Sequence, residues 1–258
     1  MTILDQIVSH ITLNMKKKRL LNVGGKLNIS KNWKFTKNVS REFDKHVNQS
    51  IPSYEDLQIY IASLSQFFIK DDQIIYDIGC ATGQTAKKII DFVSEDIKFK
   101  ILCVDSQKEM INVARKKFNK KILNKKIKFL HDDILKMKLK KNNLIISCLL
   151  LNFLSKSNQV KLLRKIYKSL NIGGGLILVD KVFSTNSQQQ TIFDQMYSDF
   201  KLKKKLTAKA IINKQISLRS SMTLNKAEEN IKDLKKVGFK KVDIFYKWFN
   251  FIGTICIK

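Results

Sequence analysis

Apolar residues along this chain fall into short runs separated by longer stretches of one-sided spacing. Runs near 73–78, 99–105, 127–130, 144–148 and 175–181 are rich in Ile, Leu and Val and read as buried strands. Between them, 84–93, 107–118 and 157–170 carry apolar residues at helical intervals. Met110, Ile111, Val113, Ala114 and Phe118 show that spacing most clearly. The alternation predicts a parallel sheet with helices on both faces. After the turn Asn171-Ile172-Gly173-Gly174-Gly175 a polar helical segment is expected at about 184–222, with Phe193, Met196, Tyr197 and Phe200 as its packing face. A helix follows at about 225–237, then the turn Val237-Gly238-Phe239 and two strand-like runs, 241–246 and 251–257. Runs so close together form an antiparallel hairpin, because a parallel pair needs a long crossover. The fold class is therefore α/β: a Rossmann-like, mostly parallel seven-stranded sheet closed by an antiparallel C-terminal hairpin strand.

Upstream, residues 1–45 are polar and basic, with Asn22-Val23-Gly24-Gly25 as a turn and Trp33 and Phe35 as anchors. They read as a loosely ordered tail leading into a helix at 39–47. The rest, 46–258, reads as one α/β domain with the helical insertion. Ser53 is expected to cap a helix at 54–68, with Asp56 in its first turn.

Composition narrows the class further. The longest apolar run, 144–151, is far too short to cross a membrane. The basic cluster at 16–19 follows the mildly apolar start, the wrong order for a secretory signal, so a cytoplasmic location is expected. Four scattered cysteines read as buried thiols, and three histidines without a Cys/His cluster predict no metal. The net charge of +27 invites a nucleic-acid reading. Yet only five of the 49 basic residues are arginine, lysine is spread along the whole chain, and proline occurs once. That pattern reads as general compositional drift, and no direct nucleic-acid contact is expected.

The chemistry concentrates in Tyr76-Asp77-Ile78-Gly79-Cys80-Ala81-Thr82-Gly83, a glycine turn between a strand and a helix. Glycine lets the backbone bend sharply and lets a ligand approach closely. The spacing is Gly-x-x-x-Gly with an acid two residues ahead, unlike the dinucleotide pattern Gly-x-Gly-x-x-Gly. An acid there suits a ligand with an ammonium group, such as the methionine end of S-adenosylmethionine (SAM). Asp105 ends the second strand, where a ribose diol is usually held.

Beyond this general pattern the chain resembles the carboxy-S-adenosyl-L-methionine synthase family, within the class I SAM-dependent methyltransferase superfamily. The residues carrying the resemblance are Trp33-Lys34-Phe35, Ser50-Ile51-Pro52-Ser53-Tyr54, Tyr76 to Cys80, Lys165-Ile166-Tyr167 with Leu170-Asn171, and Phe249-Asn250-Phe251. The resemblance implies a reaction on SAM as substrate: prephenate donates a carboxyl group to the SAM methyl carbon and phenylpyruvate leaves. It also implies a homodimer, and a separate tRNA wobble-uridine-modifying enzyme that uses the product.

By the same resemblance, Tyr54 contacts the ligand and Gly79, Cys80 and Ala81 lie against its methionine part. Asp105 and Ser106 hold the ribose; either could instead cap the following helix. Asp133 and Ile134 take the adenine. Two positions depart from the family pattern. Cys148 stands where the family has asparagine, and Gln215 where it has the arginine that holds the new carboxylate. Glutamine offers neutral donors where arginine offers a charged fork. Arg219, one helical turn on, and the adjacent Lys214 are the candidates to replace it. A diverged methyltransferase acting on a small molecule or RNA, and a catalytically silent SAM-binding protein, are the competing readings.

Overall fold

The computed structural model describes residues 21–23, 27–29, 37–118 and 120–258. Trp33, Lys34, Phe35 and the basic cluster at 16–19 lie outside the described residues. A short antiparallel hairpin, β1 (Leu21–Val23) with β2 (Leu27–Ile29), is followed by α1 (Lys37–Ser50) and α2 (Tyr54–Ser65). Then come β3 (Gln73–Ile78), α3 (Gln84–Phe92), β4 (Phe99–Asp105), α4 (Lys108–Lys117), α5 (Lys120–Lys125) and β5 (Ile127–His131). The chain continues through β6 (Asn142–Cys148), a 3-10 turn (Leu151–Phe153), α6 (Lys156–Ser169), β7 (Leu170–Phe183), α7 (Ser187–Lys203) and α8 (Ala208–Leu218). It ends with β8 (Asn225–Lys226), α9 (Ala227–Val237), β9 (Lys241–Trp248) and β10 (Phe251–Ile257).

The main sheet has the order β5-β4-β3-β6-β7-β10-β9, and the two-residue β8 pairs with β7. Strands β3 to β7 run parallel; β10 is antiparallel to both β7 and β9. The strand order reverses beside β3, so the carboxyl ends of β3, β4 and β6 border the crevice where ligands of open α/β sheets bind.

Period-two alternation explains the two-sided core. Ile75, Ile101, Ile146 and Ile177 face one side, with Leu57 and Ile61 of α2 and Ile89 of α3. Tyr76, Ile145, Leu176 and Leu178 face the other, with Leu162, Leu163 and Ile166 of α6 and Leu234 of α9. Strands buried on both faces read as unbroken apolar runs, which is why these segments stand out in the sequence. The edge strand β9 is largely open and carries Lys241, Asp243 and Lys247, charges that discourage further strand pairing.

Four expectations need correction. The polar segment at 184–222 is two helices, broken where Leu206 turns inward and Thr207 caps α8 by accepting a bond from the Ala210 N–H at 3.2 Å. Helix α1 is longer than 39–47 and runs through the boundary drawn at position 45. Helix α2 stops at Ser65, short of Phe68. Ser53 does precede α2, but its backbone is left-handed (φ 46°) and its side chain makes no capping bond. The expected cap is therefore absent. Replacing Ser53 with Ala should change unfolding stability by less than about 0.5 kcal/mol in urea denaturation, whereas loss of a working serine cap costs about 1 kcal/mol.

Candidate active site

The carboxyl ends of β3, β4, β6 and β7 open into a cavity of about 620 Å³, within the range of small-molecule pockets. Helix α1 covers it with Phe43, His46 and Val47, and α7 and α8 close the far side.

The near wall is the glycine turn. Gly79 has φ +70°, and a Cβ there would meet the Leu150 side chain at 2.9 Å, so the position requires glycine. The loop is anchored to β4: the Gly79 and Cys80 N–H groups both donate to the Val104 carbonyl, at 2.8 and 3.1 Å. Ala81, also left-handed (φ 45°), donates its N–H to Asp105 Oδ2 at 2.9 Å. The Gln107 N–H donates to Asp105 Oδ1 at 2.8 Å. Asp105 thus joins two loops, and each of its oxygens keeps a lone pair for a diol. Burial pushes its pKa up, against the pull of the Gln107 and Ala81 N–H groups and of His131.

Helix α1 is pinned over this wall. Asp44 accepts a bond from the Thr82 hydroxyl and pairs with Lys117 of α4. Asp77 lies beneath the turn, 1% exposed and off the cavity wall. From there its carboxyl can bear on the cavity through its field, without reaching the wall. Burial, with Asp105 nearby, raises its pKa to about 7, so a bound cation would favour its ionised form.

Tyr54, Gly79, Cys80, Ala81, Asp105, Ser106, Cys148, Lys214, Gln215 and Arg219 all line the one cavity. Asp133 and Ile134 do not. Ile134 is 7% exposed and belongs to the core, and Asp133 Oδ1 accepts from the Leu135 N–H at 2.9 Å to shape its own turn. Their neighbour Asp132 is tied to Asp105 by a backbone bond of 3.1 Å, which keeps the segment beside the pocket mouth. Cys148 receives a weak bond from the Gln58 amide at 3.8 Å, and burial pushes its thiol to about 12, so it stays neutral. Burial likewise raises the Tyr54 hydroxyl, and Cys148, Asp44 and Asp77 add to that.

The far wall is cationic, and most of it went unread in the sequence. Lys181 lies near the carboxyl end of β7, Lys201 sits on α7 and Lys214 on α8. Burial lowers Lys214 to about 7, with Lys201 and Lys181 adding repulsion. Its Nζ meets His46 Nε2 of α1, and burial and that lysine hold His46 neutral, its pKa down to about 2. Lys201, 4% exposed, is lowered to about 8 by burial and by Lys181. Tyr197, expected only as packing, also lines the cavity and donates its hydroxyl to the Ser50 carbonyl at 2.8 Å. Gln215 and Arg219 are one turn apart, joined by a backbone bond of 3.1 Å, and both reach the wall. One signal was available: Lys181 stands at the carboxyl end of the strand expected at 175–181, the position from which such folds usually contact ligands.

A Rossmann-like sheet, a glycine turn tied to an acid on the next strand and an antiparallel last hairpin define the class I SAM-dependent methyltransferase fold. A family profile described as "Methyltransferase domain" matches residues 75–174. Human N-acetylserotonin methyltransferase, solved in complex with SAM, superposes with a TM-score of 0.60 at 18% identity, covering 86% of this chain and 56% of that one. A methyltransferase-like protein of Methanococcus maripaludis gives 0.58 at 19% identity, covering 88% and 95%. The carboxy-S-adenosyl-L-methionine synthase of Staphylococcus epidermidis is 31% identical over 88% of this chain and 97% of its own length. The chain belongs to the carboxy-S-adenosyl-L-methionine synthase family, whose substrate is SAM.

Ala81 holds a left-handed conformation that costs a residue with a Cβ about 1–2 kcal/mol. Replacing it with Gly should raise stability by about 0.5–1 kcal/mol in urea denaturation, after the greater chain entropy of glycine is counted. SAM affinity in calorimetry should stay within about twofold, since the N–H bonded to Asp105 is kept.

Proposed function

We propose that this protein converts SAM to carboxy-SAM, taking the carboxyl group from prephenate and releasing phenylpyruvate. The observation that carries the reading is the near full-length match to carboxy-SAM synthases, 31% identity over 97% of the relative. The cavity agrees with it chemically. A sulfonium ligand fits the wall with Asp105 on its surface and Asp77 beneath. An anionic co-substrate fits the wall built of Lys181, Lys201 and Lys214.

The atoms balance as follows. Prephenate gives phenylpyruvate by losing carbon dioxide and its ring hydroxyl. The sulfonium acidifies the SAM methyl, whose proton leaves with that hydroxyl as water. The resulting ylide carbon forms the new bond to carbon dioxide. The cavity, roofed by α1 and bounded by α7 and α8, keeps carbon dioxide near the ylide and limits access of bulk water. Lys214 or Arg219 takes over the product carboxylate that Gln215 cannot hold as a charged fork. The protein acts in the cytoplasm as a homodimer without contacting nucleic acid, and a tRNA wobble-uridine (cmo5U34) enzyme consumes its product.

A second reading is favoured by one observation: Gln215 lines the cavity with a neutral side chain where the family pattern has arginine. On that reading the protein is a diverged SAM-dependent methyltransferase with a small-molecule or tRNA acceptor. Mass spectrometry of the small molecules after incubation with SAM and prephenate separates the two. The expected product is SAM heavier by one carbon dioxide, formed only when prephenate is present. Unchanged SAM, with SAM binding intact, would reject the synthase reading.

A further inference from the structure

Lys201 is the one buried residue of α7, a helix that leaves the apolar side chains of Ile192, Met196 and Leu202 exposed. A buried lysine is unfavourable unless something compensates its charge. Its Nζ lies 3.9 Å from the centroid of the Tyr197 ring, and Lys181 Nζ lies 4.7 Å from the same centroid. Two ammonium groups so placed are within about 9 Å of each other. Lys181 also stands 6.0 Å from the Phe251 ring. Tyr197, Phe251 and both lysines line the cavity.

Among the described residues, no carboxylate comes within ion-pair distance of either ammonium. Asp194 on α7 is the one acid whose field reaches both, and it accepts a bond from the Asn250 amide at 3.3 Å. Lys214 on α8 adds a third positive charge to the same wall. A ring quadrupole supplies only part of what two desolvated cations require. The wall is built for an anion that also offers an apolar surface to Tyr197.

We propose that Lys181 and Lys201, arranged around the Tyr197 ring, form the subsite that holds a carboxylate of the carboxyl-donating co-substrate and set its selectivity. This rests on the reading of the cavity as a carboxy-SAM synthase site. It separates two tasks within one pocket: Lys181 and Lys201 bind the incoming donor, and the Lys214 and Arg219 region holds the new carboxylate. Lysine suits the first task, because a compact point charge on a flexible stem tolerates a ligand that arrives and leaves. The charges lost as pH rises belong to this wall. Lys201 falls to about 8 through burial and Lys181, and Lys214 to about 7, while Asp194 opposes the shift at Lys201.

The test compares the full-length protein with Lys181→Met, Lys201→Met and Lys201→Arg. Carboxy-SAM formation is followed at varied prephenate, and SAM binding is measured separately by calorimetry. Each methionine variant should raise the KM for prephenate about tenfold or more while leaving the SAM Kd within about twofold. Lys201→Arg should recover most of the loss. The wild-type KM should rise between pH 7 and pH 9, where the carboxylates of prephenate stay ionised. SAM binding reports folding of each variant, and Lys181→Met and Lys201→Arg serve if Lys201→Met does not fold. Unchanged KM in folded variants would overturn the subsite. If the wild type makes no carboxy-SAM, the proposed reaction fails by itself. Calorimetric titration of prephenate into the SAM-bound protein then decides the subsite: binding weakened by the methionine variants supports it, and no binding rejects it.

Discussion

The site depends first on the Asp105 carboxylate. Its two oxygens accept the Ala81 and Gln107 N–H groups and so join the glycine turn after β3 to the turn after β4. Without that link the turn, with its left-handed residues Gly79, Ala81 and Gly83, would be tied to β4 only through the Val104 carbonyl. Strain of this kind persists only where the surroundings over-determine the conformation. The Asp44 contacts to Thr82 and Lys117 add a second constraint from above, which places α1 as the roof of the pocket.

From that geometry follows a division of charge. One wall has an acid on its surface and another beneath it, and the other is made by lysines from three different elements. Each wall is unfavourable alone: burial raises the carboxyls of Asp77 and Asp105 and lowers the amines of Lys201 and Lys214. A cationic sulfonium ligand with an anionic partner would relieve both at once. The shifts at Asp77, Asp105, Lys201 and Lys214 run in the senses that a ligand pair of opposite charge would reverse, as is common where pKa values are displaced at functional sites.

Much of this was legible in the sequence because it rests on periodicity and turn chemistry. The strands buried on both faces announced themselves as apolar runs, and the glycine turn with Asp105 located the crevice. What escaped notice was decided by tertiary context. The residues Ser53-Tyr54 suggest a side-chain cap, but a left-handed backbone at Ser53 gives the turn another solution. Nothing like Pro or Gly marks the break between α7 and α8; burial of Leu206 against the cavity makes it, and Thr207 was the available clue. The local packing of Asp133 and Ile134 was likewise beyond the sequence: one accepts the Leu135 N–H in its own turn and the other packs in the core. Lys201 was invisible among so many lysines, because only folding shows which one is buried.

The measurement closest to the central claim is SAM affinity by calorimetry in Asp105→Ala and Asp105→Asn. If Asp105 both shapes the turn and meets the ligand, Asp105→Ala should weaken SAM binding by about tenfold or more. Asp105→Asn, which keeps one acceptor oxygen, should fall between it and the wild type. SAM affinity within about twofold of wild type in a folded Asp105→Ala protein would contradict the account.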